Sequence, residues 1–437
     1  MHIIQQVIFV LVAAAAIYFF TKQVIRIRKN ILLGRDEDLS DNKEQRWKNM
    51  FIFALGQKKM FTNPLVAFLH LIVYVGFIII NIEMLEIVLD GLLGQHRLFA
   101  PFLGDCYTWL INSFEILAFL VLAACVVFLF RRHVVKVNRF TKPELEGAPT
   151  RDAAIILCTE IVLMSLFLFM NAADRLLQDA GVEHYTSTAP FLISSHIASW
   201  LNGTSPNALM LMERAAWWLH IIGIFAFLNY LPFSKHLHIV MAFPNSFYAS
   251  LRPVGQMENM PIVQKEVVLM LQPERANEFP ETDPNAPIKF GAKDVQDLSW
   301  KNLMDAYSCS ECGRCTAACP ANQTGKKLSP RKVMMDTRDR LEEVGLLLEK
   351  NAEVPVEGNL LDRISVEELR ACTTCNACVQ ACPLNISPLD IILQLRRSLV
   401  MEDSNVPNEW AMMFGNLENN QGPWKFSNED RANWRNA

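Results

Sequence analysis

Apolar residues fill five stretches of the 437-residue chain, at 3–20, 64–89, 109–130, 153–172 and 215–231. Each approaches the roughly 20 residues that a helix needs to cross a bilayer. After residue 245 the pattern changes. Residues 246–297 are rich in Pro, Glu, Asn and Asp and read as a linker, with one short strand pair expected around 266–271. A helical lead at 298–307 follows, then a charged helical stretch at 331–350 and a further helix at 388–401. The closing segment, 402–437, is polar yet carries Trp424, Phe426 and Trp434, aromatics that suit docking on a partner. The expected fold class is mainly α, a bundle of five transmembrane helices followed by a water-facing helical part.

Short apolar runs can also be core helices of a soluble protein, and loop charge separates the two readings. Ten Lys and Arg lie between stretches one and two (Lys22 to Lys59), and six between three and four (Arg131 to Arg151). The second loop holds only Arg97, and 176–208 holds neither residue type. The positive-inside rule then puts the N-terminus outside and the C-terminal part in the cytoplasm. The first stretch lacks a basic n-region and a small-residue cleavage site, so it reads as a retained helix and not a signal peptide. Apolar residues at 51% with charged residues at only 20% suit this assignment. A net charge of −4, from 41 basic and 45 acidic residues, argues against a nucleic-acid partner.

Eight of the eleven cysteines crowd into two runs, which suggests metal ligation in a reducing compartment. One is Cys309, Cys312, Cys315 and Cys319 before Pro320; the other is Cys372, Cys375, Cys378 and Cys382 before Pro383. Both follow C-x₂-C-x₂-C-x₃-C-P, the spacing of a [4Fe–4S] ligand run whose fourth Cys serves the other cluster. One cluster would take Cys309, Cys312, Cys315 and Cys382, and the second Cys372, Cys375, Cys378 and Cys319. Structural zinc prefers two C-x-x-C pairs to a three-plus-one run closed by Pro. Cys106, Cys125 and Cys158 lie in or beside apolar stretches and read as small buried hydrophobes.

Histidines within a span are functional candidates. His70 lies about two turns into the second helix, His220 near the outer end of the fifth, and His238 at its cytoplasmic end. On an unbroken helix, His220 and His238 are five turns apart on one face, with His236 turned away, although Pro232 lies between them. Such a pair suits two stacked b-type haems, with His70 and His238 on the cytoplasmic-side iron. The plainer alternative is hydrogen bonding within the bundle. His196 could fold inward to partner His220, whereas His96, His133 and His184 read as loop residues. Glu86, Glu115 and Glu160 are candidate proton carriers or paired bundle carboxylates.

The five helices, the helix-two His and the 18-residue His pair resemble the gamma (cytochrome b) subunit of respiratory nitrate reductase over about 1–245. The same module occurs in membrane proteins of heterodisulfide-reductase type. The resemblance implies a second haem ligand ten residues after His70, where this chain has Ile80. The cysteine runs with their long insert, 321–371, resemble the α-helical dicluster ferredoxin domain of the heterodisulfide reductase C subunit, also found in succinate dehydrogenase iron–sulfur subunits, over about 298–401. Together these imply a multi-pass subunit of the inner (cytoplasmic) membrane. It would pass electrons between a cytoplasmic partner, two [4Fe–4S] clusters, one or two haems b and a menaquinone-like pool. The tail resembles the linker to a cysteine-rich catalytic domain in longer fused relatives, so the expected partner is a separate catalytic subunit of that kind. Two alternatives stand beside it, an electron-transfer-flavoprotein:quinone oxidoreductase and a membrane iron–sulfur sensor without turnover. No nucleotide loop, serine triad or zinc-protease motif gives the chain substrate chemistry of its own.

Overall fold

The computed structural model describes residues 2–185, 187–188, 190–279, 289–355 and 357–436. Five long helices form the first part: α1 (His2–Ile31), α2 (Pro64–Leu93), α3 (Asp105–His133), α4 (Ala148–Asp179) and α5 (Pro206–Tyr230). Each is long and apolar enough to cross a membrane. The first four run past the C-terminal ends of their apolar stretches, because polar flanks continue the helical hydrogen bonding. Thus α1 ends on Arg28 and Lys29, which suit the negative end of its dipole. Asn63 caps α2 through its side chain, with Pro64 in the first turn, and Gly94 closes it at φ +68°. The helices run alternately up and down, with α4 packed between α3 and α5, and α1 against α2 and α5. Phe9, Ile111, Phe114, Phe167 and Ile221 fill their core. Leu11, Phe19, Phe68, Phe77 and Trp109 stay exposed on the outside, an apolar girdle suited to lipid.

The fifth helix does not continue to His238. It stops before Leu231-Pro232-Phe233, where proline removes a backbone donor, and the chain turns through Leu231–Phe233 and Lys235–Leu237 into a new helix, α6 (His238–Phe247). The 18-residue facing argument therefore fails.

Residues 261–271 also depart from expectation. They form one helix, Pro261–Leu271, and not a strand pair. Proline in its first turn fits a helix start, and among the described residues the only β-type pairing is an isolated bridge between Arg35 and Ser299. The expected linker, 246–297, is shorter too. Residues 280–288 lie outside the described residues, but Ala292 and Val295 are fully buried. A Cβ on Gly291 would sit 2.2 Å from the Gln394 carbonyl oxygen. The cysteine-bearing part thus gathers its chain from residue 289 on.

That part is built from α7 (Trp300–Ser308), α8 (Arg314–Ala318), α9 (Pro330–Glu349), α10 (Val366–Ala371), α11 (Ala377–Ala381), α12 (Pro388–Met401) and α13 (Asn408–Asn420). It rests directly on one end of the bundle. Ala54, Leu231, Leu237 and Ala242 share a single core with Leu303, Val333, Leu341 and Ile391. The last turns of α1 reach into it, where Asn30 donates to the Tyr307 hydroxyl at 2.9 Å and fills the space over Gly345. Beyond it, α13 leaves Trp410, Met412, Phe414 and Leu417 exposed, as are Trp424, Phe426 and Trp434.

Candidate metal centres

Both cysteine loops are the same device, assembled twice. A short helix, α7 or α10, is started by a reciprocal capping pair (Ser299 with Asn302; Ser365 with Glu368) and delivers its C-cap residue, Cys309 or Cys372. The loop then turns through two left-handed residues, Glu311 (φ +54°) and Gly313 (+73°), or Thr374 (+57°) and Asn376 (+61°). A second short helix, α8 or α11, ends on Cys319 or Cys382. Non-glycine residues held at positive φ cost roughly 1–3 kcal/mol each and cluster at ligand clamps. Their recurrence at matching places marks both loops as wrapped around something. Gly313 also admits the Arg331 guanidinium, 2.4 Å from where its Cβ would be.

The chain crossing brings the two runs together. Cys309, Cys312, Cys315 and Cys382 line one small cavity, closed by Pro383 and Met334. Cys319 lies within electrostatic reach of Cys372 and Cys378, and both of those of Cys375. The cavity thus gathers three thiols of the first run with one of the second. Three thiols of one run joined by a fourth from the other fit a cubane better than one zinc. Burial pushes the Cys309, Cys378 and Cys382 thiols up to about 12, so without a cation they are neutral; iron would hold them as thiolates.

The first loop is wired to the bundle. Glu311 is ion-paired with Lys235, and with Arg338 at 2.9 Å. Lys59, in the turn before α2, donates to the Cys382 carbonyl at 3.1 Å, and Arg314 donates to the Lys59 carbonyl at 2.8 Å. Buried Arg331 donates to the Arg139 carbonyl and to Glu144, each at 2.7 Å. Lys235 also begins the segment that holds His238, whose Nδ1 meets the Lys235 carbonyl at 2.8 Å.

His70 and His220 are held in the same way. His70 Nδ1 meets the Gln57 side-chain oxygen at 3.1 Å, and His220 Nδ1 meets the Leu163 carbonyl at 3.0 Å. In all three histidines the δ nitrogen is occupied by an oxygen acceptor, which leaves Nε2 as the free lone pair. That is the tautomer an iron-ligating imidazole needs. His238 and Arg314 lie within electrostatic reach of His70, so helix two, the broken end of helix five and the first cysteine loop meet.

Three histidine expectations need correction. His236 does not turn away, because the break at Pro232 swings its ring to 5.9 Å from that of His238. His220 lies midway down the bundle, not near its outer end, since α5 begins at Pro206 and reaches it as the fifteenth of 25 residues. His196 is exposed on the short helix Ser194–Ala198 while His220 is buried, and among the described residues no hydrogen bond or ring contact joins them. Ile80 is packed in the apolar core.

Other polar residues of the bundle sort themselves. Glu115 pins the Ile193 and Ser194 amides at 2.8 and 3.3 Å, a structural clamp. Glu86 accepts from the Tyr107 hydroxyl and the Phe99 amide, each at 2.8 Å. Glu160 is half-buried beside Cys125. Cys125 is buried as expected, whereas Cys106 and Cys158 are exposed on the outside of the bundle. His96, read as a loop residue, is instead largely buried and 3.5 Å from Asp174. Its neighbour Arg97 is buried as well, with Asp174 at 2.8 Å. Their signal was in the sequence: Glu83, Glu86 and Asp90, at i, i+3 and i+7, put three acids on one face of an apolar helix that must find a cation.

Comparison with known proteins agrees with the thiol geometry. Residues 308–386 match the 4Fe-4S dicluster domain family. The chain is 28% identical to a probable iron-sulfur-binding oxidoreductase of Bacillus subtilis, over 98% of this chain and 60% of that protein. It is also 28% identical to an EtfAB:quinone oxidoreductase of Syntrophomonas wolfei, over 90% of this chain and 54% of that protein. One subunit of a ferredoxin/F420H2-dependent CoB-CoM heterodisulfide reductase of Methanosarcina acetivorans is 33% identical over 24% of this chain and 52% of its own length. The chain thus spans a little over half the length of the relatives it matches almost end to end. No solved structure matches it. Similarity to the nitrate reductase gamma subunit does not emerge from these comparisons.

Proposed function

We propose that the chain is a membrane electron-transfer subunit that connects a cytoplasmic redox partner to the quinone pool. Two [4Fe–4S] clusters would sit in the interleaved thiol sets, and a b-type haem between His70 and His238. The observation that carries this reading is the junction at Glu311–Lys235–His238, which joins the first cysteine loop to a histidine whose Nε2 is free. Bound there, iron supplies one-electron chemistry, while the chain supplies ligands, distance and a dry setting. The positive-inside charge pattern supports an inner-membrane location with the cysteine end in the cytoplasm and the N-terminus outside.

The similarity that runs over 90% of this chain to an EtfAB:quinone oxidoreductase favours an electron-transfer flavoprotein as the partner over a heterodisulfide-reductase catalytic subunit. The exposed aromatics of α13 and the tail would receive it. Anaerobic purification should yield about eight irons per chain in clusters, together with haem b, and a flavoprotein added in its reduced form should reduce them. Stoichiometric zinc, or clusters that neither a reduced flavoprotein nor a menaquinone analogue can address, would overturn the proposal.

A further inference from the structure

At the end of the bundle away from the cysteines, α1, α2, α4 and α5 enclose a cavity of about 510 Å³. Phe9, Ile87, Met170 and Trp217 give it apolar walls, and Glu83, His96, Arg97 and Glu213 give it a polar floor. Most of that floor is satisfied. Arg97 donates to Asp174 at 2.9 Å, to the Asn171 side-chain oxygen at 2.8 Å and toward the Tyr107 hydroxyl at 3.1 Å. Glu213 accepts from the Tyr185 hydroxyl at 3.0 Å and is ion-paired with Arg214.

Among the described residues, two lining atoms have no partner. Glu83 is 2% exposed and His96 largely buried, yet Glu83 Oε2 and His96 Nδ1 make no hydrogen bond to a described residue. Their other ends are engaged: Glu83 Oε1 lies 3.8 Å from Arg97, and His96 Nε2 lies 3.5 Å from Asp174. A buried polar atom left unpaired costs about 1–3 kcal/mol. Two of them on one mostly apolar cavity describe a ligand with a flat apolar body and separate polar oxygens. Trp217, on the cavity wall, is about one helical turn from His220 on α5.

We propose that this cavity seats a quinone head group, with Glu83 and His96 exchanging protons with its two oxygens. The inference rests on the quinone-linked reading above and adds the place of reaction, at the end opposite the clusters. In the reducing direction, loaded clusters would supply two electrons, one at a time. Glu83 and His96 would each give a proton to one carbonyl oxygen, leaving the hydroquinone, and both would be reprotonated from water at that end. The oxidising direction is the reverse.

The test uses the full chain, with its clusters, in lipid nanodiscs. The fluorescent quinol analogue 2-heptyl-4-hydroxyquinoline N-oxide should bind one per chain. Glu83→Gln and His96→Phe should each weaken it tenfold or more, and Glu160→Gln, which does not line the cavity, should leave it unchanged. Because Glu83 and His96 border a buried ion network, their variants could misfold. Wild-type protein is therefore also photolabelled with an azido-naphthoquinone, and the label is expected within 83–97 or 210–218. Label confined to other segments, or variants that bind as wild type does, would overturn the site while leaving the quinone-linked reading intact. No binding of either probe, with reduced clusters that menadione fails to reoxidise, would overturn that reading and this one together.

Discussion

The two cysteine loops share a backbone design and differ in surroundings. In the first, Cys309 is buried, and Glu311, Arg314 and Arg331 bind this part to the bundle through Lys235, the Lys59 carbonyl and the Arg139 carbonyl. In the second, Cys375 is exposed; Lys59 tethers the far end of the loop through the Val379 and Cys382 carbonyls, and on its other side the Arg370 guanidinium lies 5.9 Å from the Trp410 ring of α13. Local spacing made the loops alike; long-range packing set the first, inner one deeper against the bundle and left the second, outer one with an exposed thiol. A cluster held by the inner set would face the histidines, and one held by the outer set would face a visiting protein.

The sharpest way to break this comparison is to remove one crossing ligand at a time. Cys382→Ser should cost the inner cluster and slow reoxidation by a menaquinone analogue more than 100-fold, while the outer centre still accepts electrons from the partner. Cys319→Ser should do the reverse. Integrated EPR spins per chain, alongside stopped-flow reoxidation, would show whether the two losses are distinct.

Next in size are the histidines. His70→Ala and His238→Ala should each abolish the same b haem, read as lost pyridine-haemochrome absorbance. His236→Ala should keep that haem but shift its midpoint potential, since its ring is adjacent to that of His238 and not turned away. An unshifted potential would show that His236 is electrically silent.

The inner loop's anchor comes third. Lys235→Met leaves Glu311, 3% exposed, with Arg338 as its remaining cation. Breaking a buried pair costs about 3 kcal/mol. The outcome should be slower electron passage from clusters to haem with unchanged iron content, measured by flash reduction.

The smallest expected effect is a pH dependence. Burial alone would raise the Glu144 carboxyl, but hydrogen bonds from Ser329 and Arg331 hold it below the ordinary carboxylate range. A depressed pKa contributes stability that is present above the unfolded value and lost as pH falls through the folded one. Glu144→Gln should therefore weaken docking of the cysteine part at pH 7, and its difference from wild type should shrink on acidification below about 4. Limited proteolysis across that range would reveal it.

How much of this was readable in the chain depends on the reach of each interaction. The two cysteine runs were legible because such a loop is specified within a dozen residues, and the dicluster family match at 308–386 covers both. The five helices were legible because each carries its own apolar run. His238 was misplaced on its face because Pro232 ended the helix, and no periodicity argument survives a break of unknown angle. Residues 266–271 misled through their paired valines, Val267 and Val268, when Pro261 had already begun a helix. The cavity was least legible. Its polar groups come from four helices and two loops, and Arg97 counted as a loop charge when it is the buried centre of an ion network.

One further consequence follows from the distance between the thiols and that cavity. They lie at opposite ends of a bundle whose second helix alone, at 30 residues, is about 45 Å long. An electron that enters at one end and reacts at the other crosses the electrical field of the bilayer. Each such charge gains or loses about 2.3 kcal/mol per 100 mV. If the thiol end faces the negative side, as proposed, voltage drives electrons toward the cavity, so a charged membrane would push a reduction there that the two redox couples alone would not complete. The same chain run backwards would charge the membrane. Its poise is then a property of the energised cell as much as of its cofactors.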